Sequence, residues 1–153
     1  MITEHQAEDR IADYLNTLDL NSSKAVVEPD EPDFLTQYIR RWENMILVRF
    51  AGSPQTMSIT AGTGSQFNDP GRLFHTVWNF ELTIFHNRKR ADGIYGVVKG
   101  LRENVTNLRL DPDLSPLIPI AGPVDPFRDA DKWRTSMTFR AVLQYERERH
   151  TDG

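Results

Sequence analysis

Apolar and polar residues alternate from Trp133 to Glu146. Trp133, Thr135, Met137, Phe139, Ala141, Leu143 and Tyr145 fall on one side; Arg134, Ser136, Thr138, Arg140, Val142, Gln144 and Glu146 fall on the other. A period of two marks a strand with one buried face. Fourteen residues at about 3.3 Å each span roughly 46 Å, against about 5–6 residues for an ordinary strand. Such a strand must either bend sharply or reach beyond its own core. Leu73–His86 repeats the pattern, with Trp78, Phe80, Leu82 and Ile84 on one side and Val77, Asn79, Glu81 and Thr83 on the other.

Helical spacing appears three times. Ala7, Ile11, Tyr14, Leu15 and Leu18 form one stripe of a helix over residues 3–18. Thr3 and Gln6 stand at capping-box spacing before it. Pro32 and Asp33 open a shorter helix whose face is Phe34, Leu35, Tyr38, Ile39 and Trp42. Ile94, Val97, Val98, Leu101, Val105 and Leu108 mark a third helix, in which Gly96 and Gly100 either permit close backbone packing, the favoured reading, or sit on the exposed side. Short strands are expected at Lys24–Glu28, ended by Pro29, and at Met45–Phe50.

Loop chemistry fills residues 52–72, rich in Gly, Pro, Asn and Asp. A protruding hairpin or a mobile arm is expected there, with a brief strand possible at Ser58–Ala61. Five prolines between Asp111 and Pro126 exclude helix and central sheet, leaving Leu117, Ile118 and Ile120 for an edge strand. The tail from residue 148 is expected to fray. The whole chain, residues 1–153, reads as one α/β domain of the α+β type. Its mixed, mostly antiparallel sheet carries two to three helices on one face.

Composition narrows the chemistry. The 153 residues contain no cysteine, which removes disulfides, thiolate nucleophiles and cysteine–zinc sites. A net charge of −4 argues against a broadly nucleic-acid-binding domain. Charge is uneven: Glu4, Glu8, Asp9 and Asp13 crowd the first helix, while Arg88, Lys89 and Arg90 stand together after a strand. The start of the chain is polar and the longest aliphatic run, Met45–Val48, is far short of a membrane span. A soluble protein with no membrane association is expected.

No motif announces catalysis. Gly62-Thr63-Gly64-Ser65-Gln66-Phe67 begins like a dinucleotide fingerprint, but Phe67 replaces the third glycine and no helix follows. His75 and His86 are eleven residues apart, so a regular strand turns them to opposite sides. Asp125, Asp129 and Asp131 match a calcium loop only loosely. No catalytic residue, cofactor or metal ligand is assigned. A histidine beside a carboxylate in a solvent-filled pocket would mark the contrary case, a small-molecule enzyme or binding domain. The large aromatics Trp42, Trp78, Trp133, Phe80 and Phe139 read as core. Phe67 beside Arg72 and Phe127 beside Arg128 either anchor their loops or, if exposed, suit contacts between proteins.

The order of elements resembles the Mu-like bacteriophage tail terminator family. Asp33-Phe34-Leu35 through Met45-Ile46-Leu47-Val48-Arg49-Phe50 is similar to its helix-then-strand. Trp78–Ile84 resembles its central strand, and Phe85–Arg90 its short basic turn. The helix from Ile94 and the strand from Trp133 complete the pattern over residues 3 to about 147. The resemblance implies a structural virion protein with no enzyme activity. It would be made in the host cytoplasm and sit as a ring, commonly a hexamer, at the tail–neck junction. There it would stop growth of the tail tube and meet a neck or connector protein, while DNA passes through without sequence-specific contact. A different neck or head-completion protein is the nearest alternative. The residues expected at subunit or partner contacts are Phe67, Arg72, Arg88, Lys89, Arg90, Arg134 and Arg140.

Overall fold

The protein was analysed as a computed structural model that describes residues 2–18, 20, 23–27, 42–52, 56–58, 73–87, 92–129 and 132–146. Among them are two helices, α1 (Glu4–Leu18) and α2 (Asp92–Val105). Seven strands form one sheet: β1 (Ser23–Val27), β2 (Asn44–Phe50), β3 (Thr56–Ser58), β4 (Leu73–His86), β5 (Ile118–Ala121), β6 (Phe127–Asp129) and β7 (Lys132–Glu146). Neighbours run β1-β2-β4-β7-β5, with β3 added to β4 and β6 to β7. Among the described pairings β1–β2 is parallel and the others are antiparallel. The fold is the mixed, mostly antiparallel α+β arrangement that the residue pattern predicts.

β4 and β7 form its spine. They pair without a register shift from Leu73↔Glu146 to His86↔Trp133. The directly opposed pairs Trp78↔Ala141, Phe80↔Phe139 and Leu82↔Met137 turn to the same face. β2 extends it through Ile46↔Ile84 and Val48↔Leu82. Both helices cover this face. Ala7, Ile11, Ala12 and Leu15 of α1 join Ile94, Val97, Leu101 and Val105 of α2 in one buried cluster with those strand residues. Phe50 meets Trp78 and Phe80 edge-on, at 5.8 and 5.6 Å between ring centres. Each such contact adds about 0.5–1.5 kcal/mol beyond area burial.

Local chemistry sets the element ends. The expected capping box forms at α1: Gln6 N donates to Thr3 Oγ1 at 3.1 Å and Thr3 N to Gln6 Oε1 at 3.0 Å. α2 stops at Val105 rather than at the expected Leu108. Asn107 takes a left-handed φ of 69°, and its N–H turns to Leu117 O at 2.8 Å. Asparagine tolerates that conformation just past a helix end, so Leu108 packs from a turn rather than from the helix.

Three further differences separate expectation from structure. The brief strand of the 52–72 segment lies at Thr56–Ser58, pairing with Phe74–Thr76; residues 59–61 lie outside the described residues. β6 has no counterpart in the sequence reading, since three residues after a proline carry no periodicity. Trp42 is 38% exposed and not core. It precedes the last β2 rung, Asn44↔His86, and its carbonyl accepts from Asn87 Nδ2 at 2.7 Å, outside the helix-covered layer. The rest of the expected second helix, 32–41, lies outside the described residues.

Candidate interaction surface

The face of the sheet turned away from the helices changes character along its length. Near the Asn44–His86 end, Met45, Leu47 and Phe85 form a small buried cluster with Val26 against it. Arg134 stacks over the Phe85 ring at 5.4 Å from its centre. Farther along the face is polar. Arg49 and Glu81 pair at 3.0 Å, and Arg140 Nε donates to Asn79 Oδ1 at 3.1 Å. Both described arginines of the expected interface are therefore on this open face and both contact their own subunit. Each remains half-buried. The other five expected contact residues, Phe67, Arg72, Arg88, Lys89 and Arg90, lie outside the described residues.

The β4–β7 ribbon outruns the strands beside it. Pairing of β2 with β4 ends at Phe50↔Phe80, and β5 meets β7 only from Thr138 to Arg140. Beyond those rungs the two long strands continue to Leu73 and Glu146, flanked among the described residues by β3 beside β4 and by a bridge from Leu114 to Leu143 beside β7. The length read from the alternation is thus divided. The core follows β4 from Trp78 to Ile84 and β7 from Trp133 to Leu143, and only the last rungs, where β3 joins, extend past it.

Among the described residues, the outer edges of β1 and β5 carry guards. On β1, Ala25 N donates to Asn16 Oδ1 and Asn16 Nδ2 donates to Ala25 O, each at 2.8 Å. N–H and C=O of one strand residue point the same way, so the amide of Asn16 occupies the outward-facing site of Ala25 as a neighbouring strand would. Ser23 N is held by Leu20 O at 2.8 Å. At the other edge, Leu117 exchanges hydrogen bonds with Asn107 and Leu108, and Pro119 within β5 has no N–H to offer. Strand addition is thereby hindered at Ser23 and Ala25 of β1 and at Leu117 and Pro119 on the β5 side.

A second surface was only partly legible from sequence. Phe127, weighed as a loop anchor or a contact, is 48% exposed. Ile118, Ile120 and Val124 are exposed beside it along the chain. Arg128 lies over the Trp133 ring at 5.4 Å from its centre. The available signal was the density of prolines, which forbids burying such a segment as a regular element while leaving its large apolar residues in place.

The two histidines whose side chains are described have separate partners: His5 meets Glu8, and His86 meets Asn44. His86 is buried, and its Nδ1 meets Asn44 Oδ1 at 2.6 Å, an amide rather than a carboxylate at that nitrogen. Its ring fills the space where a Cβ on Gly93 would sit, at 2.6 Å from Cε1, and so wedges against the first turn of α2. Gly100 admits Leu20 as expected of a close-packing glycine, whereas Gly96 is exposed. Among the described residues no group of three or more His, Cys, Asp or Glu side chains is placed to hold a metal, and no helix is long and apolar enough to cross a membrane. Near the start of α2's exit loop, Asp111 is held below its ordinary 3.8 by the Asp113 N–H and by Arg10. That set ties α1 to the 110–113 turn, since Arg10 also donates to Leu110 O.

Comparison with models of known protein families and with curated protein sequences gives no match.

Proposed function

We propose that this protein is a structural subunit that caps the head-proximal end of a phage tail tube as a ring, probing no substrate and carrying no catalysis. The observation that supports the reading most is the three-stranded extension of β3, β4 and β7 past the helix-covered core. The terminal rungs of this strand pair go beyond its own core, and a ring needs two different patches meeting head to tail. The similarity of element order to Mu-like tail terminators supports the same reading. In it the subunit meets copies of itself, the tube protein and a neck or connector protein, within the virion. DNA passes through the ring without base contacts. The guarded sheet edges direct those contacts to side-chain surfaces and to the extension.

Native mass measurement of the purified protein, together with cryo-microscopy of the particle, tests the reading. A ring at the junction of tube and neck is expected. Density elsewhere along the tail axis would make it a different neck or head-completion protein. A strict monomer absent from the particle would sink the proposal.

A further inference from the structure

Charges on opposite sides of the molecule lack a counterpart among the described residues. Asp9 and Asp13 stand two residues to either side of Ile11, which is fully buried beneath α1. Two residues of helix turn through about 200°, so both aspartates point away from the sheet, one turn apart. Both are exposed, and among the described residues neither forms an ion pair. Like charges four residues apart destabilise a helix, so the pair does not serve the fold of its own chain.

Arg140 is the reverse case. It lies on β7 between Phe139 and Ala141, both fully buried, so its side chain leaves on the face away from the helices. Its Nε is held by Asn79 Oδ1 at 3.1 Å, an amide rather than a carboxylate, and among the described residues no acidic side chain pairs with it. That bond orients the guanidinium plane and leaves its two Nη groups, the edge that takes a carboxylate in a bidentate pair. The strand register sets Ile118, 48% exposed, directly opposite Arg140 on the same face. The next rung of that face carries Thr138, Glu81 and Arg49. These side chains form one patch running from β2 through β4 and β7 to β5.

We propose that α1 of one copy of the chain lies on this patch of the next copy, with Asp9 and Asp13 on the Arg140 guanidinium and Ile118 covered beside it. The chain carries both halves of the pair. A polyanionic partner would satisfy Arg140 and leave the aspartates unpaired, and a cationic partner would do the reverse; a second copy satisfies both. The two patches differ and lie on opposite sides of the molecule, so the contact runs head to tail and can propagate. Placing these patches in a ring rests on the ring reading; their pairing does not. Contacts between surface charges are screened by salt, so the association is weak and salt-sensitive.

The test is sedimentation equilibrium of the full chain, from micromolar to about 1 mM. It is run at about 0.1 M and about 1 M salt, between which the Debye length falls from about 10 to about 3 Å. The samples are the unaltered protein, Arg140→Asp, the double variant Asp9→Lys with Asp13→Lys, and an equimolar mixture of the two variants. The unaltered protein is expected to self-associate, less at the higher salt. Each variant alone sets like charges against each other and should weaken association by about tenfold or more. The mixture should recover it, because the lysines of one variant meet the altered β7 position of the other, whose aspartates meet an intact Arg140. Lysine is the better helix former, so the double variant should keep its melting temperature. If Arg140→Asp does not fold, Arg140→Gln, which keeps a donor for Asn79, takes its place and should weaken association in the same direction. A protein monomeric to 1 mM overturns the proposal. So does a mixture no better than its components, or association indifferent to salt and to these substitutions. The ring reading is judged separately, by position in the particle: a ring at the tail junction that ignores these substitutions would leave it standing on other patches.

Discussion

Asn16→Ala separates the guarding of the β1 edge from packing of the core. Asn16 lies on the exposed side of α1, and its amide makes two hydrogen bonds of 2.8 Å to the same residue, Ala25. A typical intramolecular hydrogen bond contributes about 0.5–1.5 kcal/mol net, so the pair is worth about 1–3 kcal/mol. Water reaches the vacated site and satisfies part of what is lost, which favours the lower half of that range. Alanine also improves helix propensity by up to about 0.7 kcal/mol. The expected net loss is about 1 kcal/mol, which for a domain of this size lowers the melting temperature by about 2–4 °C. Thermal unfolding gives the total, and amide hydrogen exchange gives the location. The Ala25 N–H should lose protection while Val26, whose N–H turns toward β2, keeps it. Asn16→Asp retains the acceptor for the Ala25 N–H but sets a carboxylate against the Ala25 carbonyl, so Ala25 should keep more exchange protection than in Asn16→Ala while the melting temperature still falls. If Asn16→Ala leaves both stability and Ala25 exchange unchanged, the edge is not guarded by this side chain and the argument fails.

Other expectations follow from single contacts. Gly122→Ala should destabilise by more than about 2 kcal/mol, because Gly122 has a φ of 80° and a Cβ would lie 2.5 Å from the backbone oxygen of Ser136. Gly100→Ala should be close to neutral in the same melting assay, since its Cβ meets only the movable end of Leu20 at 2.9 Å and alanine gains helix propensity of about 1 kcal/mol. Asp111 is held below 3.8 in the folded chain, so its ionised form contributes stability that is present above 3.8 and lost as pH falls through the lowered folded value. Asp111→Asn should therefore flatten the acid end of a stability–pH curve, and an unchanged acid limb would refute that linkage. Phe139→Ala removes a fully buried ring at the centre of the β4–β7 spine and should cost about 3–5 kcal/mol in denaturant unfolding.

Much of the architecture was written in local pattern. The alternation of Leu73–His86 and of the Trp133 strand needs only nearest neighbours to be read, and both strands fold at those positions. The Thr3–Gln6 cap and the α1 stripe are likewise local. The end of α2 was missed because it depends on the Asn107–Leu117 hydrogen bond, which joins residues from different elements. The candidate surface was less legible. Arg134 and Arg140 look like free outward cations in sequence, yet each is drawn onto a residue of β4, Phe85 and Asn79, more than forty positions away.

Residue order by itself determined the period-two spine, the helix stripes, the absence of cysteine chemistry and the exclusion of a regular buried element from the proline-rich segment. Each follows from backbone geometry acting over a few residues. Tertiary structure alone decided that the long strands divide between core and extension. It also decided that Asn16 closes one sheet edge and Pro119, with the 107–108 turn, blunts the other, and that Phe127 faces outward. Those outcomes depend on which distant group arrives opposite each free N–H, carbonyl or ring, and pairing across the sheet settles that.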